Sequence, residues 1–188
     1  MYGAPRRCRQ DAQRNRLAIL EAANDVMAGQ PPAAVMPEVA RRAGVSQATL
    51  YRHFSNRYAL ISALVAHQVQ RLEALAAALT DHPETFRPLL RAVLHAQVAM
   101  RPLVRLTQHL DPATRDRYHQ RVIAALSAPL RQAQTHGYVR GDITPDDLAL
   151  LFLMVQGVTE ATDDASAAYT AAERSIELAL DGVFRPET

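Results

Sequence analysis

The 188-residue chain has no tryptophan, no lysine and a single cysteine, Cys8. One thiol can neither close an intramolecular disulfide nor supply a cysteine-rich zinc site. With four phenylalanines and no tryptophan, an aromatic-walled pocket is not evident. All 21 basic side chains are arginine, which with abundant alanine reads as the bias of a GC-rich coding sequence and cautions against weighting any one arginine. Long apolar runs are missing as well. The longest, Leu148 to Val158, is interrupted by Gln156 and falls short of the ~20 residues that a bilayer span needs. Arg6, Arg7 and Arg9 lead into polar residues where a secretory signal would carry its apolar segment, so a cytoplasmic protein is expected. Catalytic signatures are equally scarce: HExxH, GxSxG and a glycine-rich phosphate loop are absent, and the seven histidines include no i,i+4 pair with a nearby carboxylate. His95, His109, His119 and His136 are read as helical surface or cavity lining. No metal, no cofactor and no enzymatic activity are expected.

What is present is an ordinary globular composition, 48% hydrophobic and 21% charged, with enough chain for one large domain or a small one fused to a medium one. The net charge of +2 hides an asymmetry. From Met1 to Tyr58 nine arginines face four acids, a balance of +5, whereas from Ala59 onward twelve arginines face fifteen acids, a balance of −3. A basic first third is the footprint of a partner that carries negative charge.

Inside that basic third, residues 39–57 read VARRAGVSQATLYRHFSNR. Val39, Ala40, Ala43, Val45, Leu50 and Phe54 are apolar, and Gly44 separates two short helical patterns. Ala40 is small enough for two helices to cross closely, and Gly44 can take the positive φ that ends the first of them. Ser46 is placed to cap the second by accepting from the backbone N–H of Ala48 or Thr49. Leu50 and Phe54 then face inward, leaving Gln47, Ala48, Thr49, Tyr51, Arg52 and His53 outside. That is a helix-turn-helix with an outward face suited to a major groove. The bland alternative, a helix packed for its own sake with Arg52 and His53 as solvated surface, leaves this coincidence of spacing, turn and polar set unexplained.

With GVSQATLYRHF, together with LAILEAANDVMA before it and NRYALISALV after it, the first third of the chain resembles the TetR family of bacterial transcriptional regulators. The resemblance implies that Gln47, Ala48 and Thr49 meet base edges, that Tyr51 and His53 hold phosphates, and that Arg57 holds a phosphate from the start of the next helix. Residue chemistry agrees: Gln can bond adenine, Ala and the Thr methyl can touch thymine methyls, and Arg57 can offset backbone charge. Arg52 can serve either purpose. One departure stands out, because Val35, Met36 and Pro37 occupy the start of the first motif helix, where family members often carry Thr and a basic residue. Binding is then expected to lean on the second helix and on a basic arm.

The fold class expected is all-α, with about nine helices. Residues 1–14 read as a mobile basic arm, whose arginines either enter a minor groove or form a solvated tail. Residues 15–60 form the helix-turn-helix domain, and residues 61–188 a helical effector-binding and dimerisation domain. The first helix is placed at Gln13 to Ala28 on Leu17, Leu20, Ala23 or Asn24, and Met27. The fourth is placed at Arg57 to about Leu79 on Leu60, Leu64, His67, Arg71 and Leu75, and joins the two domains. Thr85 to Arg101 follows, with Phe86, Leu90, Val93, Gln97 and Met100 on one face. After a short stretch to Leu110, Asp111-Pro112 starts a long helix that Pro129 should kink, and Thr144 with Asp147 reads as a capping box for the next. That next helix is apolar almost all round, and the last, from about Ser166 to Phe184, is rich in alanine.

In the family the last two helices pair with those of a second subunit, and these two patterns look like that arrangement. The resemblance thus implies a homodimer on a pseudo-palindromic double-stranded operator, with reading helices about 34 to 36 Å apart. Leu151, Val155, Tyr169, Ala172 and Ile176 are the candidate dimer contacts. The family also carries an effector pocket in its C-terminal domain, and His67, Gln97, Met100, Phe152 and Gln156 are the candidates for it here. Gln97 and Gln156 sit in apolar stripes, where each amide must bond either a backbone carbonyl or the other glutamine, or else a ligand. The functional reading is a dimeric repressor released from its operator by a small molecule. The alternative is a DNA-binding regulator without an inducer, controlled by abundance or by a protein partner.

Overall fold

The computed structural model describes residues 4–27, 35–99, 112–161 and 164–184, with side chains from residue 11 onward except 115 and 165. Among the described residues there are eight α-helices: α1 Ala4–Met27, α2 Val35–Arg42, α3 Gln47–His53, α4 Arg57–Leu79, α5 Phe86–Ala99, α6 Pro112–Thr135, α7 Pro145–Glu160 and α8 Ala165–Val183. The expected all-α architecture is what the chain forms. The stretch 102–110, which would make a ninth element, lies outside the described residues.

Two apolar clusters form. The first gathers Ile19, Leu20, Ala23 and Val26 of α1, Val35 and Val39 of α2, Leu50 of α3, Phe54, and Leu60, Ile61 and Leu64 of α4. The second gathers Ala76 of α4, Phe86, Leu90 and Leu94 of α5, Leu126 and Leu130 of α6, Leu148 and Val155 of α7, and Ala172, Ile176 and Leu180 of α8. Helix α4 therefore belongs to both cores and physically connects them. Gln68 on α4 also donates to Asn24 of α1 at 2.8 Å. Thr144 and Asp147 form the capping box expected at the start of α7, with Pro145 just inside the helix. At the other end of the chain, Val139 bridges Phe184, and Arg140 donates to the carbonyls of Val183 and Gly182, which fastens the end of α8.

Several sequence expectations are corrected by the structure. Helix α1 begins at Ala4, so residues 4–14 have helical backbone and are not an irregular arm. Pro5 falls in the first turn, where a missing N–H costs nothing, and no breaker follows it before Met27. Because a helix is about 10 to 12 Å wide and a minor groove about 6 Å, this segment cannot enter that groove as an extended strand would. Leu17 is 42% exposed, the buried face of α1 being set by Ile19, Ala22, Ala23 and Val26. On α4 the stripe departs after His67: Arg71 and Leu75 face solvent, while Leu72, Ala76 and Leu79 pack into the second core. Since α4 is apolar on most sides, solvation of Arg71 selects the neighbouring stripe.

The larger correction concerns the last helices. Val155, Ala172 and Ile176 are 1%, 0% and 0% exposed within a single chain. A second subunit cannot cover what its own subunit already buries, so these three are core residues and not dimer contacts. Leu151 is half-buried, and only Tyr169 of that set is well exposed.

Candidate nucleic-acid interface

The geometry of the interface starts at Gly44. Its φ of 67° is the left-handed conformation that closes α2, with Gly44 N–H donating to Arg41 and Val45 N–H to Ala40, at 3.2 and 3.0 Å. This pair of reversed bonds satisfies carbonyls that a helix end leaves open and turns the chain tightly into α3. Ser46, in extended conformation, accepts the Thr49 N–H at 3.1 Å and so caps α3. Leu50 and Phe54 anchor the helix at 0% and 2% exposure. With those anchors inward, Gln47, Ala48, Tyr51 and Arg52 are exposed, and Thr49 and His53 are half-buried.

Phe54 ends α3, and the Arg16 guanidinium of α1 lies over its ring at 4.7 Å. Asn56 then caps α4 by accepting from Ala59 N–H at 2.9 Å, which puts Arg57 in the first position of that helix. A helix start offers unpaired N–H groups and a partial positive charge, so an arginine there adds to a ready-made anion site. The arginines of α2 are differently engaged. Arg41 holds Glu38 through Nε at 2.7 Å, and this bond keeps the Glu38 carboxyl below the usual carboxylate range, while Arg42 pairs with Asp25 at 3.5 Å. Arg52 has a neutral partner, the Thr49 hydroxyl, at 3.2 Å. Of the seven residues singled out in the sequence, two caps, one glycine turn and two apolar anchors place six on α3 and Arg57 at the start of α4.

The effector candidates are less closely gathered. Gln97 of α5 donates to the backbone carbonyl of Phe152 on α7 at 2.9 Å, and its Oε1 is buried with no partner among the described residues. Gln156 bonds Glu160 on its own helix at 3.0 Å, not Gln97. His67 is half-buried on α4, and no hydrogen bond joins it to Gln97, Phe152 or Gln156 among the described residues. Met100 lies outside them. Among the described residues no group of three or more His, Cys, Asp or Glu side chains is placed to hold a metal ion, and no helix is long and apolar enough to cross a membrane.

Sequence reasoning missed the clasp between α4 and α6. Tyr118 donates its phenol hydrogen to the Ser62 carbonyl at 3.1 Å, its oxygen lies 3.1 Å from the Ser62 hydroxyl, and Arg121 grips both carboxylate oxygens of Glu73 at 2.8 Å. The Arg121 bonds hold the Glu73 carboxyl below its ordinary range. Partners 56 and 48 residues apart leave no periodic signal. Also missed were Leu150, Leu153, Met154 and Leu178, apolar side chains 55% to 60% exposed. The all-round apolar pattern of α7 was their signal, but it could not say which side stays open.

Similarity to known proteins agrees with this arrangement. Residues 19–64 match the family described as bacterial regulatory proteins, tetR family, and residues 72–185 match the C-terminal domain of SbtR-like transcriptional regulators. The crystal structure of a TetR transcription regulatory protein from Mycobacterium vanbaalenii is 29% identical, with a TM-score of 0.73 over 95% of this chain and 99% of that one. A TetR transcriptional regulator from Streptomyces coelicolor is also 29% identical, with a TM-score of 0.71 over 92% of this chain and 99% of that one. An uncharacterised helix-turn-helix regulator of Mycobacterium tuberculosis is 45% identical over 65 residues. That alignment spans 32% of this chain and 32% of the relative, about a third of the length of each. With one family matched over the helix-turn-helix and its kin over most of the remainder, the chain belongs to the TetR family of bacterial transcriptional regulators.

Proposed function

We propose that this protein is a cytoplasmic, dimeric repressor that holds a pseudo-palindromic operator and is released by a small-molecule effector. The observation that carries the reading is the outward face of α3: Ser46 caps it, Leu50 and Phe54 anchor it, and Gln47, Ala48, Tyr51 and Arg52 stand free of the core. Gln47, Ala48 and the Thr49 methyl suit base edges, whereas Tyr51, His53 and Arg57 suit phosphates. Dimerisation is supported by an exposed stripe at helical spacing on α7, Leu150, Leu153, Met154 and Gly157, and by the exposed Leu178 of α8. Exposed apolar side chains at helical spacing suit a partner, and family kinship makes a second copy the natural one.

Effector control is supported by Gln97 Oε1, buried and without a partner among the described residues, since an unpaired buried acceptor costs roughly 1 to 3 kcal/mol that a ligand N–H or O–H would recover. The test is a thermal-shift screen of metabolites followed by operator binding with and without each hit. An effector that weakens operator binding must itself be weakened by the operator by the same factor. If no metabolite lowers operator affinity, control by abundance or by a protein partner replaces induction. The enzymatic reading has no support in the site.

A further inference from the structure

We infer that Thr49 is a positioning residue whose hydroxyl holds the Arg52 guanidinium over the first turn of α3, where Arg52 reads a guanine. The inference rests on the reading of α3 as the DNA-reading helix and names the division of labour within it. Ser46, Thr49 and Arg52 are spaced three residues apart and form one chain of bonds. Ser46 Oγ accepts the Thr49 N–H at 3.1 Å and lies 2.9 Å from Thr49 Oγ1, and Arg52 Nη2 donates to Thr49 Oγ1 at 3.2 Å. A hydroxyl has one hydrogen and two lone pairs, and a guanidinium only donates. Arg52 therefore occupies a lone pair on Thr49, and the Ser46 and Thr49 hydroxyls share a hydrogen that either can donate. Beyond these bonds Thr49 presents its methyl group, which suits the C5-methyl of thymine.

The same bond decides between the two roles open to Arg52. Helical side chains lean toward the N-terminus, and i,i+3 neighbours lie side by side, so this contact draws the guanidinium back over the turn that carries Ala48 and Thr49. That end of a reading helix is the one that meets base edges. Of the five N–H donors of Arg52, one is used on Thr49, and a bidentate pair to guanine O6 and N7 needs two of the other four. The tether also leaves the charge intact, unlike the carboxylate partners of Arg41 and Arg42. A phosphate contact works from many rotamers and gains little from such aiming, whereas base readout depends on it.

The experiment uses the full chain. Selection from randomised duplexes gives the preferred site, and anisotropy titrations against duplexes changed one base pair at a time give the preference at each position. Arg52→Ala is expected to erase preference for guanine at one base pair per half-site, by about 5- to 150-fold, the span of one bidentate arginine–guanine pair. Thr49→Val removes the hydroxyl, keeps the shape, and should lower that same preference by about 2- to 12-fold, the cost of ordering a free side chain on binding. Thr49→Ser restores the hydroxyl without the methyl, so it should recover the guanine preference and instead weaken a neighbouring thymine preference. A role in stability alone would not produce this crossed pattern. Unchanged guanine preference in Thr49→Val, or an equal loss on every duplex in Arg52→Ala, overturns the inference while leaving DNA binding in place. A wild-type chain that enriches no sequence overturns both.

Discussion

At the scale of single residues, the proposed function separates side chains that would carry sequence information from those that would carry only charge. Gln47 stands at the start of α3 with its amide exposed, and Arg57 at the start of α4 beside the cap made by Asn56. Arg57→Ala should weaken binding to every duplex alike and lower the slope of log affinity against log salt by about one, since one phosphate contact is lost. Gln47→Ala should relax preference at one base pair and leave the slope unchanged. A salt-titrated binding assay on specific and random duplexes separates these outcomes. These residues were legible in the sequence because a helix-turn-helix is specified locally: Gly44 needs a left-handed turn, Ser46 caps within three residues, and Leu50 and Phe54 are four apart. The Ser46, Thr49 and Arg52 chain was not legible, because i,i+3 spacing allows the bond without requiring it.

At the scale of helices, each apolar stripe is visible in the sequence, but the surface that covers it is not. Tyr169, Ala172, Ile176, Leu180 and Val183 read as one face of the last helix, and all but Tyr169 turn out to fill the core of their own chain. The partner face proposed instead is the exposed stripe of α7, Leu150, Leu153 and Met154. Ala172→Arg is therefore expected to unfold the chain, because it buries an unpaired charge. Leu153→Arg, at a position 57% exposed, should keep the helical circular dichroism and shift the sedimenting species from dimer to monomer. A folded Ala172→Arg chain would contradict its place in the core, and an intact Leu153→Arg dimer would move the interface elsewhere.

Helix α4 shows the same limit on local reading. Its length and its two-domain span were evident, yet the side chains that tie it to α6 come from distant sequence. Tyr118→Phe removes both bonds to Ser62, one turn beyond Arg57, and keeps the ring. It should leave operator affinity of the ligand-free protein within a few-fold and reduce the response to an effector, as should His67→Ala between the two clasps. Equal effector response in wild type and in both variants would remove this contact region from the switch.

At the scale of the whole molecule, a basic first third and an acidic helical remainder share one helix, and the proposed switch acts through how tightly that helix is held. A ligand shifts such an equilibrium only by its differential affinity for two states, so a 100-fold loss of operator affinity requires about 2.7 kcal/mol of coupling. That is within reach of one small molecule bound per subunit. Effector chemistry was not legible in the sequence: Gln97 read as a polar residue in an apolar stripe, and only its bond to the Phe152 carbonyl reveals which of its two amide atoms has no partner among the described residues. The central claim, that the outward face of α3 reads a specific operator in a two-fold assembly, is tested most directly by one affinity ratio. The full chain is titrated at physiological salt against its selected duplex and against a scrambled duplex of the same composition. The account predicts at least about 10³-fold tighter binding to the selected duplex, carrying two half-sites one helical turn, or a multiple of it, apart. Equal affinity for both duplexes would contradict it.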